Sequence, residues 1–357
     1  MVETETQSPT PTAAATPGQA GPLLAIRDLE VGFRSGDDEF RAVNGMSLEV
    51  RPRETVAVVG ESGCGKSLTA LSIMGLLGPG TSLPDAFVRG SMRLATGDGS
   101  EHELVGMRSR EYDRIRGSVL SMIFQEPMSA LNPLFTVGEQ VVEMLVRHEH
   151  MPRRQAWTRA EVLFEQVGIP EPRRRLKAYP FELSGGQKQR VMIAIAMSCN
   201  PRLLIADEPT TALDVTIQSQ ILYLLREIKE SFETSVLFIT HNLGIVAQFA
   251  DRVAVMYRGA VVEFATVQEV FKAPRHPYTR MLLDSHPGES LRARAGDRLQ
   301  AIPGTVPSIT TDIDGCAFHP RCPYVMPLCR TTAPPERIDA SGHTARCHLE
   351  VIPDAER

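Results

Sequence analysis

No stretch of this sequence is apolar for long enough to cross a bilayer: runs such as Val191–Met197 fall far short of the ~20 residues a membrane helix needs. A basic field is missing too. Thirty-eight Lys and Arg stand against 43 Asp and Glu, a net charge of −5, which leaves no positive surface for nucleic acid. Residues 1–21 hold no Lys or Arg and no apolar h-region, so they do not read as a secretory signal. Rich in Pro, Thr, Ala and Gln, they are expected to form a disordered leader. No internal repeat is visible. Together these absences predict a cytosolic chain that meets a membrane only through partners.

What is present suffices for a sizeable core. The chain has 357 residues and is 42% hydrophobic, which suggests one large domain, alone or with a small appendage. Leu24–Phe33 and Arg41–Val50 alternate as two strands joined by the turn-rich Ser35–Asp38. Thr55–Val59 is a short apolar strand that leads through a glycine loop into a helix, roughly Lys66–Leu77. Val119–Phe124 reads as a further buried strand, and from about Leu134 to Tyr179 the periodicity is helical. Strand and helix then alternate through Leu203–Asp207, Gln218–Phe232, Ser235–Thr240 and Leu243–Phe249, followed by strands at Arg252–Tyr257 and Ala260–Glu263. The pattern predicts an α/β core with a helical insertion. After about Ser285 the chain becomes rich in Pro, Arg and Cys, which marks a small loop-dominated appendage.

Three segments carry chemistry. Gly60-Glu61-Ser62-Gly63-Cys64-Gly65-Lys66-Ser67 fits G-x-x-x-x-G-K-[ST] between a strand and a helix, the context that motif needs. Its backbone N–H groups and helix start suit phosphates, Lys66 the β- and γ-phosphates, and Ser67 a Mg²⁺ ion. The phosphate-binding set is therefore Gly60, Ser62, Gly63, Cys64, Gly65, Lys66, Ser67 and Leu68. Cys64 sits near a helix N-terminus, where thiol pKa values fall, and is read as a tolerated small residue. Leu203-Leu204-Ile205-Ala206-Asp207-Glu208 is a buried strand ending in two carboxylates at the sheet edge where ligands of α/β folds bind. Asp207 suits Mg²⁺ and Glu208 the attacking water. Leu183-Ser184-Gly185-Gly186-Gln187 opens a long helix with exposed N–H groups and a hydroxyl. Ser184 either caps that helix or binds a second anion there, the γ-phosphate held by a partner subunit.

With these motifs in this order, the chain from Leu24 to Leu283 resembles the ABC ATPases. The resemblance implies a P-loop core with an antiparallel β subdomain and a helical insertion. It places Lys66 and Ser67 in the Walker A loop, Gln125 in the Q-loop, Ser184, Gly185, Gly186 and Gln187 in the signature, Asp207 and Glu208 in Walker B, Asp214 in the D-loop, and His241 at the switch position. Glu208, His241 and Gln125 are then the catalytic group, and Ser67, Gln125 and Asp207 the Mg²⁺ ligands. Adenine normally stacks on an aromatic near the end of the first strand. Ser35 occupies that place, so Phe33 and Phe40 are the substitutes. The expected divisions are a leader at 1–21, an ATPase domain at 22–284 with its helical subdomain at about 134–180, and a Cys-rich extension at 285–357.

Phe124-Gln125-Glu126-Pro127-Met128-Ser129-Ala130-Leu131-Asn132-Pro133, His276-Pro277-Tyr278-Thr279 and Ile302-Pro303-Gly304 resemble the oligopeptide, dipeptide and nickel importers within that family. This implies ATP-driven peptide uptake at the cytoplasmic face of the membrane, with nickel, haem or other cargo, or a non-transport ABC ATPase, as alternatives. The implied partners are a second, similar ATPase in a heterodimer, two permease subunits and an external solute-binding protein. Gln125 and Pro127–Thr136 are expected to meet a coupling helix of the permease.

Cys316, Cys322, Cys329 and Cys347 crowd the tail, while Cys64 and Cys199 stand alone. In a reducing cytosol four such thiols suggest a metal or cofactor site rather than disulfides. Gly315–His348 has too few apolar residues for a core of its own, and small units of that kind usually need a metal staple. The spacings of five, six and seventeen residues lack the paired C-x-x-C loops of zinc ribbons and favour a [4Fe–4S] cluster, as does the family resemblance. Zn²⁺ held with His319, His343 or His348 stays open, as do four free thiols.

Overall fold

The computed structural model describes residues 21–97, 99–126, 130–211, 214–285 and 302–353. Residues 1–20 of the expected leader, Pro127–Ser129 of the expected coupling segment, and 286–301 and 354–357 of the expected extension lie outside them. The smaller sheet contains β1 (Leu24–Ser35), β2 (Asp38–Val50), β4 (Ala86–Ala95) and β5 (Glu101–Glu103), in the order β2-β1-β4-β5 and antiparallel throughout. The larger sheet contains β3 (Thr55–Val59), β6 (Leu120–Ile123), β7 (Leu203–Asp207), β8 (Ser235–Thr240), β9 (Arg252–Tyr257), β10 (Ala260–Thr266), β11 (Glu336–Ile338) and β12 (Thr344–Arg346). Its order is β11-β12-β10-β9-β3-β8-β7-β6.

Strands β9, β3, β8, β7 and β6 run parallel. Every residue of β3, β6, β7 and β8 is buried, which is why their sequences are largely apolar and do not alternate. One face packs on the smaller sheet through Val56, Val58, Ile205 and Leu237 against Leu24, Ile26 and Leu48. The other meets a helical layer through Leu204, Val236 and Phe238. Helices Val137–His148, Arg153–Gln166 and Gly185–Met197 fill that layer with Val141, Leu145, Leu163, Phe164, Val191 and Ile193. Thr136 caps the first of them: its hydroxyl accepts from the Glu139 N–H, and the Glu139 carboxylate returns the bond. The helical layer thus continues to Met197, sharing one core across the 180 boundary expected from sequence.

The expected strands from Thr55 to Tyr257 match to within a residue or so. The helix after the glycine loop stops at Ile73 rather than Leu77, because Gly75 turns with φ +62° against the Tyr112 ring. Strands β4 and β5 and the helix Ser109–Ile115 were not anticipated. In β4, alternation is interrupted at Gly90 (φ +101°), where a Cβ would lie 2.5 Å from the Asp28 carbonyl.

The tail is stitched into the core rather than standing apart. β12 extends the larger sheet by pairing with β10, and Phe318 is buried against Tyr257, Tyr278 and His276. Glu263, fully buried on β10, accepts hydrogen bonds from the Arg275 and His276 backbone N–H groups and pairs with His343 of the tail at 2.8 Å. Burial pushes the His276 imidazole down to about 4, so this buried side chain is a neutral acceptor for the Tyr278 N–H. A segment with too little apolar surface of its own has borrowed the ATPase core.

Candidate functional site

Because β3, β6, β7 and β8 are parallel, their C-terminal ends open on one edge of the sheet. Register places Val59 beside Thr240, Asp207 beside Ile239 and Ile123 beside Ala206. Each strand therefore delivers its next residues to that edge: the glycine loop after β3, Gln125 after β6, Glu208 after β7 and His241 after β8.

The glycine loop is tightly held beneath and open above. A Cβ on Gly60 would fall 2.2 Å from the Met256 carbonyl, and one on Gly65 (φ +105°) 2.7 Å from that of Ala42, so only glycine fits at either point. Ser62 and Gly63 are exposed, while Leu68 packs inward against the central core. Lys66 is buried and donates to the Gly60 and Glu61 carbonyls at 2.8 and 3.0 Å. Cys64 is buried, and burial pushes its thiol up. This corrects the sequence expectation, since loss of water outweighs the helix start and the nearby Lys66 ammonium.

The carboxylates face this loop. The Ser67 hydroxyl donates to Asp207 Oδ1 at 3.2 Å, and burial, the dominant influence, raises Asp207 above the usual carboxylate range. Glu208 is the hub of the edge. Its Oε1 lies 3.1 Å from His241 Nδ1, and its Oε2 accepts from Thr211 Oγ1 at 2.8 Å and Gln125 Nε2 at 3.3 Å. Burial alone would raise its pKa, but the bonds from His241 and Thr211 outweigh burial and hold it below the usual value. Its backbone sits in the left-handed region at φ +45°, a conformation unfavourable by about 1 kcal/mol for a residue with a Cβ. The strain turns the carboxylate out of the strand toward its three partners.

Two hydrogen-bonded sets, Ser67 with Asp207 and Glu208 with Gln125 and His241, thus share one edge, with Lys66 in the loop beside them. The signature closes on itself. Ser184 Oγ accepts from the Gln187 N–H at 3.3 Å, and the Gln187 side chain accepts from the Ser184 N–H at 3.1 Å, a capping box that satisfies the helix start. Ser184 and Gly185 are exposed, with nothing near the position a Gly185 Cβ would take. Gly186 lies against Ile217, whose N–H is capped by Asp214. Phe33 and Phe40 form a cross-strand pair between β1 and β2, two residues before Ala42, whose carbonyl abuts Gly65. Sequence reasoning missed Thr211 as a partner of Glu208, and Tyr278, whose hydroxyl accepts from the Glu61 N–H at 3.0 Å. Tyr278 lies in the singled-out His276–Thr279 run, but its distance from the loop along the chain hid the contact.

A model of the ABC transporter family matches residues 43–211, spanning the loop, the signature and the β7 carboxylates. The oligopeptide transport ATP-binding protein AppD of Bacillus subtilis (strain 168) is 48% identical over 338 residues, 94% of this chain and 99% of that one. The chain belongs to the ABC transporter ATP-binding proteins. A second family model, the C-terminal region of oligopeptide/dipeptide transporters, matches residues 262–329 of this ABC ATPase. The dipeptide transport ATP-binding protein DppD of the same organism is 45% identical, covering 92% of this chain and 95% of its own. Among solved structures, the dimeric post-hydrolysis state of the ATP-binding cassette MJ0796, bound to ADP and Pi, superposes with a TM-score of 0.59 at 26% identity. That match covers 68% of this chain and 98% of the other.

In the tail of this ABC ATPase, Cys316, Cys322, Cys329 and Cys347 are free thiols that line one small cavity with Phe318, His319 and His348. Burial raises Cys316, Cys347 and Cys322, the last to about 11. Among the described residues, no three or more Cys, His, Asp or Glu side chains close on a point that a single metal ion would fill. His343, a sequence candidate for zinc, is committed to Glu263 instead. No helix among the described residues is long and apolar enough to cross a membrane.

Proposed function

We propose that this ABC ATPase hydrolyses ATP at the open sheet edge to power uptake of peptides through permease subunits at the cytoplasmic face of the membrane. The observation that carries the reading is Glu208, strained, ionised and bonded to Gln125, Thr211 and His241 beside a glycine loop. Lys66 releases the Gly60 and Glu61 carbonyls to meet the β- and γ-phosphates, and the exposed loop amides take the rest. Ser67 and Asp207, already facing each other, fit a Mg²⁺ ion with Gln125 adjacent; Mg²⁺ when bound neutralises phosphate charge. Glu208 orients and deprotonates the attacking water, and His241 holds Glu208 and reaches the γ-phosphate. Phe33 and Phe40 contribute the adenine face.

The capped but exposed start of the Gly185–Met197 helix serves the nucleotide of an opposing ATPase, a similar second chain in a heterodimer. The dimeric MJ0796 cassette supports this two-chain reading. Peptide cargo follows from the names of the relatives, and with it two permeases and a solute-binding protein. Asn132 and the exposed Leu134 and Phe135 belong to the segment that meets the permease. A test is direct. Lys66→Ala should abolish nucleotide binding by the isolated chain, and peptide uptake by the assembled transporter, without preventing assembly. ATP binding unchanged in that variant would remove Lys66 from the phosphate site.

For the tail, the residues at 302–353 support a cluster-binding extension. Four thiols share a cavity without converging on one point. The shared cavity and the irregular Cys spacing carry the proposal of a [4Fe–4S] group held by Cys316, Cys322, Cys329 and Cys347, structural in role. Anaerobically purified protein should be brown, with iron and sulfide in roughly four-to-four ratio per chain. Colourless protein with one zinc per chain would reject the cluster.

A further inference from the structure

The glycine loop carries a charge of the wrong sign for its ligand. Glu61 is its second residue, and its backbone carbonyl lies 3.0 Å from Lys66 Nζ, at the place where a polyanionic triphosphate must dock. An unpaired carboxylate on this residue would add negative charge to the loop and weaken its hold on ATP. The carboxylate is not free. Arg321 grips it with two parallel hydrogen bonds, Nη1 to Oε2 at 2.7 Å and Nη2 to Oε1 at 3.0 Å, a fork that fixes both charge and direction.

Arg321 comes from the tail, 260 residues further along the chain. Its side chain is 4% exposed, and two further donors go to the Pro303 and Gly304 carbonyls, with the guanidinium near the Tyr257 ring. The residue after it is Cys322, and Phe318, three residues before it, is a wall of the four-thiol cavity and packs on Tyr278. Glu61 is thus held by the tail-side Arg321 through its carboxylate and by Tyr278 through its N–H.

We propose that Arg321, delivered by the thiol-lined tail, is a positioning residue for ATP: it neutralises Glu61 and turns it aside, so the glycine loop binds a triphosphate more tightly when the tail is docked. This rests on the ATPase reading above. Two charges a few ångströms apart interact strongly where solvent is partly excluded, and a coupling between sites of this kind is worth several-fold to about a hundredfold in affinity.

The test uses the full-length chain and a fluorescent ATP analogue, read as Kd at low and high salt, with KM and kcat for ATP measured in the assembled transporter. Arg321→Ala should raise Kd and KM by about tenfold, with kcat at saturating ATP within about twofold, and the defect should shrink as salt screens it. Adding Glu61→Gln to Arg321→Ala should restore Kd to within about threefold, because no uncompensated charge remains. Arg275→Ala, which breaks a different tail contact with Asp339, should leave Kd unchanged. A Kd for Arg321→Ala equal to that of the parent would overturn the proposal. So would a defect that Glu61→Gln does not relieve, or one that Arg275→Ala reproduces, since each would mean general loosening of the tail. If the unsubstituted chain binds no ATP analogue at all, it is the ATPase reading that fails.

Discussion

Glu208→Gln should bind ATP and Mg²⁺ as tightly as the parent while turning over slower by ~10²-fold or more, the scale of a lost general base. The amide keeps the size of the side chain and can still meet Thr211 and Gln125, so the strained turn at φ +45° is preserved. What disappears is the negative charge that His241 and Thr211 stabilise. Because those bonds hold the carboxyl below its usual value against the effect of burial, Glu208 is ionised, and ready to take a proton, throughout the neutral range. The variant should accumulate in the ATP-bound, closed pair of subunits. The measurement is single-turnover hydrolysis alongside equilibrium nucleotide binding. A single-site rate near the parent's would remove Glu208 from the base role and leave it a structural hub.

The second large effect is expected at the signature. Ser184→Arg should leave ATP binding by the separate chain intact and abolish closure with its partner ATPase. Ser184 and Gly185 are exposed, so a long cationic side chain has room in the isolated subunit. It would then stand where the opposing nucleotide must sit. The capping box is lost as well, which weakens the helix start by about 1 kcal/mol, little beside the shared core of Val191 and Ile193. Calorimetric ATP binding and sedimentation with the partner separate the two effects. Normal closure by this variant would mean that Ser184 is only a cap.

The sheet edge was legible in sequence because buried parallel strands announce themselves as short apolar runs, and each of these is followed closely by a residue with chemistry. Val59, Asp207 and Thr240 needed no tertiary information to be read as strand ends, and Phe124, the end expected for the fourth, lies one residue past the observed Ile123. The smaller sheet was half legible: β1 and β2 alternate, whereas β4 is broken at Gly90 and flanked by glycine-rich turns. The tail was least legible. Its composition implies dependence on something outside itself, and four thiols point to a metal or cluster. Packing supplied a second answer, since Phe318 is buried with Tyr257 and Tyr278, and β12 closes onto β10. Contacts between residues hundreds of positions apart, such as Arg321 with Glu61, leave no periodicity to read. The same holds for Thr211, whose hydroxyl is informative only once the turn after β7 has folded back on Glu208.

Catalysis by two chains rather than one is the central expectation for this ATPase. The measurement that addresses it most directly is ATPase rate per chain against subunit concentration and added partner ATPase, with molecular mass followed in parallel. The chain alone and monomeric should be nearly inactive. Activity should rise with the fraction of paired subunits and fall away when the pair carries Ser184→Arg. A fully active preparation that stays strictly monomeric would contradict it.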